Sequence, residues 1–384
     1  MQKTSWGIVL ALWGAGLGAA AQYGKFSVIF DQLPEIYPDA GASLGFVVSV
    51  VGFVGIVFGI VAGLMVARIR YRRALLIALW AGAALSLFQA LLPPLPWMLA
   101  SRLLEGLSHL AIVVAAPTLI AHVAAPKDRG FALTLWGTFF GVAFAILTWG
   151  GVPLAVTAGI PALLAAHGIY MAGFAIFLAR RLRTLDVDVP PPVSVRQVLR
   201  DHAHIYASPR ISAPAFGWLF YTFCFVSILT VLPPFLDPVY RAAVMGAIPL
   251  TSIAVSMTVG VALLRVTSAV NVILIGFAGS ALAMLWLWGV PGDPVACLFL
   301  AGATGLVQGA SFAAVPQLNT AAAHQAQANG AMAQMGNLGN TLGTPVMAFA
   351  LGGLGYTALP LVAGVAFVCG GAIHVVLALR RKAM

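Results

Sequence analysis

Long apolar stretches separated by short polar gaps dominate the chain. They run approximately over residues 6–30, 43–67, 74–93, 97–123, 131–154, 160–180, 212–235, 242–264, 269–289, 294–318, 327–351 and 356–379. Each is close to the ~20 residues that a helix needs to cross ~30 Å of hydrocarbon, and the longer ones must tilt or protrude. Barrel strands would alternate in hydrophobicity, and these runs do not. A helix also satisfies its backbone polar groups within itself, as lipid demands. The pattern predicts an all-α integral membrane protein of twelve transmembrane helices, numbered here 1 to 12. The first run follows Lys3 and passes Ala19-Ala20-Ala21, which resembles a signal-peptide cleavage site. Apolar character resumes and reaches Phe30, so the run is read as an uncleaved first helix.

Composition agrees. Of the 384 residues, 61% are hydrophobic and 8% charged, against roughly a quarter charged in soluble domains. The formal net charge of +10 would suggest nucleic acid in a soluble protein. Here the basic residues sit in gaps between apolar runs, so the expected partner is the anionic face of a bilayer. One set of gaps holds Lys3, Arg68, Arg70, Arg72, Arg73, Lys127, Arg129, Arg180, Arg181, Arg183, Arg196, Arg200, Arg210, Arg265, Arg380, Arg381 and Lys382. The alternate gaps hold Arg241 with Asp31, Glu35, Asp39, Asp237 and Asp293. By the positive-inside rule both termini are expected in the cytoplasm. No Asn-x-Ser/Thr sequon occurs, which fits a bacterial inner membrane. Cys224, Cys297 and Cys369 fall within apolar runs and read as small buried hydrophobes. No Walker loop and no metal-ligand spacing occurs, so neither ATP nor a metal cofactor is expected.

The one long polar gap, Arg180–Arg210, contains Pro190-Pro191-Pro192, which favours an extended, semi-rigid linker. It divides the chain into residues 1–182, a linker at 183–211, and residues 212–384. The two parts echo each other. Gly106, Pro117 and Gly137 recur 199 positions later as Gly305, Pro316 and Gly336, and Gly63–Arg68 recurs 197 positions later as Gly260–Arg265. A duplicated six-helix unit follows, with a binding site expected near the midplane where the halves meet. Glycines four apart predict close packing on helix 2 (Gly55, Gly59, Gly63), helix 5 (Gly137, Gly141), helix 10 (Gly305, Gly309) and helix 11 (Gly339, Gly343).

These features resemble the major facilitator superfamily over essentially the whole chain. Gly63-Leu-Met-Val-Ala-Arg-Ile-Arg-Tyr-Arg-Arg73 is similar to that family's cytoplasmic loop motif, Gly-x-x-x-Asp-Arg-x-Gly-Arg-Arg/Lys, with Gly63, Arg68 and Arg72 matching. Ala67 stands in place of the aspartate, so the motif's charge relay is incomplete. Arg102-Leu-Leu-Glu-Gly106 resembles the family's Arg-x-x-Gln-Gly motif, with Glu105 for the glutamine, and Pro126-Lys-Asp-Arg-Gly130 resembles the segment leading into helix 5. The exporter-associated Gly-Pro-x-x-Gly-Gly pattern is missing from helix 5. The resemblance implies two pseudo-symmetric six-helix bundles that rock about a central cavity lined by helices 1, 4, 7 and 10.

Charges inside membrane helices are costly and point to function. Lys25, Arg102 and Glu105 are the three here, and His109 joins them on helix 4. At ~100° per residue, Arg102, Glu105 and His109 lie within about 60° of one another. Arg102 suits anion binding or an internal pair with Glu105. Glu105 and His109 can titrate and are the candidates for a coupled proton. Lys25, one turn after Gln22, either snorkels to the interface or faces the cavity as a cation. Helix 10 has a polar face with Thr304, Gln308 and Ser311, and helix 11 one with Gln334, Asn337, Thr341 and Thr344. Amides on such faces suit a polar ligand or bond between helices. By the resemblance, Lys25, Arg102, Glu105, His109 and Gln308 would converge on the cavity, with Tyr221 beside them. Together with Gln22 and Asn337, the residues Lys25, Arg102, His109, Tyr221 and Gln308 are the candidate substrate contacts, Glu105 and His109 the candidate proton carriers, and Gly63, Arg68 and Arg72 the candidate cytoplasmic gate. The expected function is secondary transport of a small polar, anionic organic solute, proton-coupled, by a monomer. A non-transporting membrane sensor or assembly factor on the same fold is the alternative. An enzyme is not expected, since no nucleophile–base pair or metal cluster is present.

Overall fold

A computed structural model describes residues 3–182 and 195–383. Helix 1 is Trp6–Ser27. Helix 2 covers 44–69, helix 3 Tyr71–Gln89 and helix 4 Leu95–Val123. Helix 5 begins as Arg129–Gly137 and continues as Phe139–Ala158, and helix 6 is Ile160–Arg181. Helices 7 to 12 are Ala213–Val231, Pro238–Leu264, Ala269–Gly289, Pro294–Leu318, Ala322–Leu354 and Ala358–Lys382. Among the described residues, 10 segments qualify as membrane spans by length and apolarity alone. The last of these takes in both helices 11 and 12, and helix 1 is not among them because Gln22 and Lys25 dilute its apolar run. Counting both gives the twelve expected helices.

Residues 183–194 of the expected linker, including Pro190-Pro191-Pro192, lie outside the described residues. The linker is not extended throughout, because Val195–Ala207 is a helix. Val195, Val198, Leu199, His202 and Tyr206 recur at helical spacing, and Ile205 is buried against Ile211, Val315 and Met332. The Tyr206 hydroxyl donates to Gln334 Oε1 at 2.6 Å. Burial pushes that hydroxyl up to about 12, so it remains a donor at ordinary pH.

Hydrogen bonds between helix ends define two faces. Ser5 N donates to Val123 O at 3.2 Å, so helix 1 starts where helix 4 stops. Arg72 Nη2 reaches Ala179 O at 3.1 Å and Arg381 Nη1 reaches Pro209 O at 2.8 Å. These ties gather the arginine-rich gaps at one end, the basic end. At the acidic end Tyr37 donates to Pro93 O at 2.8 Å and Tyr356 to Leu287 O at 2.8 Å. Helices 2 and 11 run antiparallel, with Gly45 against Pro345 and Gly59 against Gln334, so both halves share this polarity.

The duplication shows in the packing. A methyl group on Gly106 would stand 2.4 Å from Val51 O of helix 2, and one on its repeat partner Gly305 would stand 2.2 Å from Ser252 O of helix 8. In both halves the fourth helix crosses the second at a glycine. Gly137 departs from the expected tight packing, since nothing lies within 4 Å of its Cβ position. Cys224 and Cys297 are buried as expected, whereas Cys369 is exposed beside Leu361 and Val365 on an apolar flank.

Candidate functional site

The membrane charges meet in one place. Lys25 near the end of helix 1 donates to Glu105 Oε1 at 2.6 Å and to Ser86 Oγ at 2.5 Å, and stands 3.4 Å from His167 Nδ1. Glu105 Oε2 accepts from Gln89 Nε2 at 3.0 Å and from Arg102 Nη1. Arg102 spends its other donors on backbone, with Nε to Val47 O at 2.7 Å and Nη2 to Val48 O at 3.1 Å. Those carbonyls immediately precede the 3-10 turn Val50–Gly52, where the i→i−4 pattern of helix 2 is broken. The guanidinium also lies 4.7 Å from the Phe26 ring centroid, a cation–π distance.

Lys25, Arg102 and Glu105 are each 0% exposed. Lys25 therefore does not snorkel. Its ammonium turns into the N-terminal half, towards helices 3, 4 and 6. Gln22 does the same, donating to Ser108 Oγ at 2.9 Å. The cluster is buried and paired because each charge removed from water must find partners in the low-dielectric interior.

The direction of one chain of bonds follows from its end. His167 Nε2 lies 2.9 Å from Gly18 O, and a carbonyl only accepts, so Nε2 carries the proton. Nδ1 then accepts, and Ser86 Oγ, 2.6 Å away, donates to it while accepting from Lys25. His109 follows the same logic. Its Nδ1 lies 3.0 Å from Ala19 O and must donate, which leaves Nε2 of the neutral ring as an acceptor with no hydrogen-bond partner among the described residues. The His109 ring meets Tyr23 edge-on at 5.1 Å, and Tyr23 is fully buried.

The remaining expected residues lie elsewhere. Gln308 accepts from Ser252 at 3.5 Å, the long limit of a hydrogen bond. Asn337 fits against helix 2, where a methyl on Gly55 would stand 2.2 Å from its Cγ. Gln334 donates to Ile56 O at 3.0 Å. The polar face of helix 11 is thus the seam between the halves, set into the glycines of helix 2. Of the loop motif, Arg68 is exposed, Arg72 ties helix 3 to helix 6, and Gly63 lies within helix 2. So the structure brings Gln22, Lys25, Arg102 and Glu105 together inside the N-terminal half, with His109 at its edge. It leaves Tyr221, Gln308 and Asn337 on the other side of the seam.

Two features of the site are not visible in the sequence. Ser86, Gln89 and His167 complete the charge cluster from helices 3 and 6. An aromatic lattice also crosses the seam. Phe140 lies 5.8 Å from Tyr23 and 6.1 Å from Phe225, Phe225 stacks on Tyr221 at 5.6 Å, and Tyr221 on Trp218 at 4.7 Å. Trp218 in turn meets Phe312 at 5.0 Å. At the acidic end Ser27 Oγ and Thr230 Oγ1 are 2.7 Å apart, and Trp149 Nε1 donates to Ala242 O at 3.0 Å. These bonds tie the two halves together at the acidic end.

The family model of the Major Facilitator Superfamily matches residues 8–269. No curated protein matches. Among solved structures, the crystal structure of the human organic anion transporter MFSD10 (TETRAN) is similar with a TM-score of 0.68 at 16% identity, covering 96% of this chain and 98% of that one. The crystal structure of a D-xylose-proton symporter is similar with a TM-score of 0.76 at 15% identity, covering 97% of each chain. At such identities the likeness speaks for the fold alone. Over two thirds of its length, the chain carries the sequence of one family on that family's architecture, and it belongs to the Major Facilitator Superfamily.

Proposed function

We propose that this chain is a secondary transporter that moves a small organic anion together with a proton by alternating access, as a monomer. The observation that carries the reading is charge balance. The membrane helices hold Lys25 and Arg102 against the single carboxylate Glu105. An anion at the seam neutralises that excess. A cation would meet only repulsion, which is large where water is scarce. The aromatic lattice offers the apolar body of such a solute a surface, and Gln308, Asn337 and Tyr221 offer polar contacts. Lys25 and Arg102 act on it through the field. In this reading the basic end is cytoplasmic, with both termini on that side.

His109 is the proposed proton acceptor, because its Nε2 is unpaired and stands next to the seam. One turn from Glu105, a protonated His109 adds a second net positive charge. Anion binding should therefore tighten as the pH is lowered far enough to protonate His109. Purified protein would be screened by thermal shift against carboxylates, sugars and amines over a series of pH values from neutral to acidic, since a ligand of the folded state raises its melting point. We expect stabilisation by a carboxylate, stronger at lower pH, and loss of that pH dependence in His109→Gln. Stabilisation by amines alone would refute the anion. Unchanged pH dependence in His109→Gln would move the proton elsewhere.

A further inference from the structure

A groove opens on the outer flank of the N-terminal half, between helices 2, 3 and 4. It encloses about 530 Å³. Its floor is low because helix 3 presents Ala74, Ala78 and Ala81 along one face, at the spacing that lines up on a helix. Phe58 and Ile69 mark its ends along helix 2, with Leu104 and Leu107 forming the far wall. Ser108 is the one polar residue among the described residues lining it, and its hydroxyl is already committed to Ala78 O at 2.7 Å. A polar ligand would therefore find no partner there.

Two further features narrow the occupant. From Phe58 to Ile69 is 11 residues of helix, about 16 Å at 1.5 Å per residue, which is close to the depth of one bilayer leaflet. The groove ends at the basic end, where Ile69 and Ala74 flank Arg70 and the first residues of helix 3, Tyr71-Arg72-Arg73. Arg68, Arg70 and Arg73 are exposed there. Arg68 and Arg73 have no carboxylate partner among the described residues, and Ala67 supplies none from within the helix. An apolar slot one leaflet deep, capped by uncompensated guanidinium groups, matches an acyl chain bearing a negatively charged headgroup. We propose that this groove is a specific site for one anionic phospholipid, its chain along helix 3 and its phosphate on these arginines.

The test is native mass spectrometry of the full-length protein from detergent supplemented with equal phosphatidylglycerol and phosphatidylcholine. One retained lipid is expected, with phosphatidylglycerol preferred by about tenfold. The double variant Arg68→Gln/Arg73→Gln should retain one lipid with the preference reduced to near parity. Ala81→Trp, which fills the slot, should retain none. No headgroup preference in the wild type would overturn the proposal, as would a preference that survives in the double variant. Undiminished phosphatidylglycerol binding by folded Ala81→Trp would place the lipid on the surface and reject the groove. If Ala81→Trp does not fold, the double variant decides alone.

Discussion

Glu105→Gln should be the most damaging single isosteric change in the protein, collapsing the yield of folded, monodisperse material. Glu105 is the only carboxylate within the membrane helices, and it accepts from Lys25, Arg102 and Gln89 together. The amide keeps the shape but removes the charge, and its NH2 would face a donor on either side. Two cations would be left buried without compensation. Breaking a buried pair by removing one partner costs about 3–5 kcal/mol, a large share of the 5–15 kcal/mol that typically separates folded from unfolded states. Lys25→Met should be much milder, because Arg102 and Glu105 remain as a neutral pair and the methionine suits an apolar site. Size-exclusion profiles and melting points of the two variants give the comparison. Equal melting points for Glu105→Gln and wild type would mean that the two cations are not both charged.

Gly343→Ala should have the next largest effect, through packing alone. The added methyl would stand 2.1 Å from Phe223 O, a backbone atom of helix 7 that cannot swing aside. Gly339, one turn earlier, would meet Leu219 O at 2.4 Å. Helices 7 and 11 cross here backbone to backbone, so the C-terminal half must shift as a whole to accept the change. Overpacking of this kind costs about 1–3 kcal/mol or more, and Gly343→Leu should abolish folding. Gly59→Ala makes the contrast. Its methyl would lie 3.7 Å from Gln334 Cα, an ordinary contact across the seam, and should be tolerated. A melting point for Gly343→Ala equal to that of Gly59→Ala would show that helices 7 and 11 are not in this contact.

The fold was legible because lipid imposes a simple rule, and runs of about 20 apolar residues follow it. Helix 1 was legible despite Gln22 and Lys25 because its apolar run continues to either side of them. The stripe Arg102, Glu105 and His109 was legible because all three lie on one helix, where 100° per residue fixes their common direction. What that stripe faces was not legible. Ser86, Gln89 and His167 are ordinary polar residues on other helices, and only the packing of helices 3 and 6 against helix 4 turns them into partners of Lys25. The polar face on helix 11 and the glycine row of helix 2 were each visible, but not that they meet each other. Spacing shows which residues share a face and says nothing of which face they meet. The linker helix was hidden by its neighbour, since the proline run drew attention from the helical spacing that begins at Val195.

Alternating access requires the closed acidic end to open, and distances across helices 2 and 11 report on that directly. Ala42 and Gly353 are both exposed near that end, and can carry spin labels once the exposed Cys369 is replaced. In a bilayer, electron–electron distance measurements should give two populations. The shorter would match the closed seam described here, and the longer would match its opened counterpart. Their ratio should change as the pH is lowered far enough to protonate His109, and should stop changing in His109→Gln. A single short distance, unmoved by pH and by every carboxylate tested, would contradict a transporter that rocks about this seam.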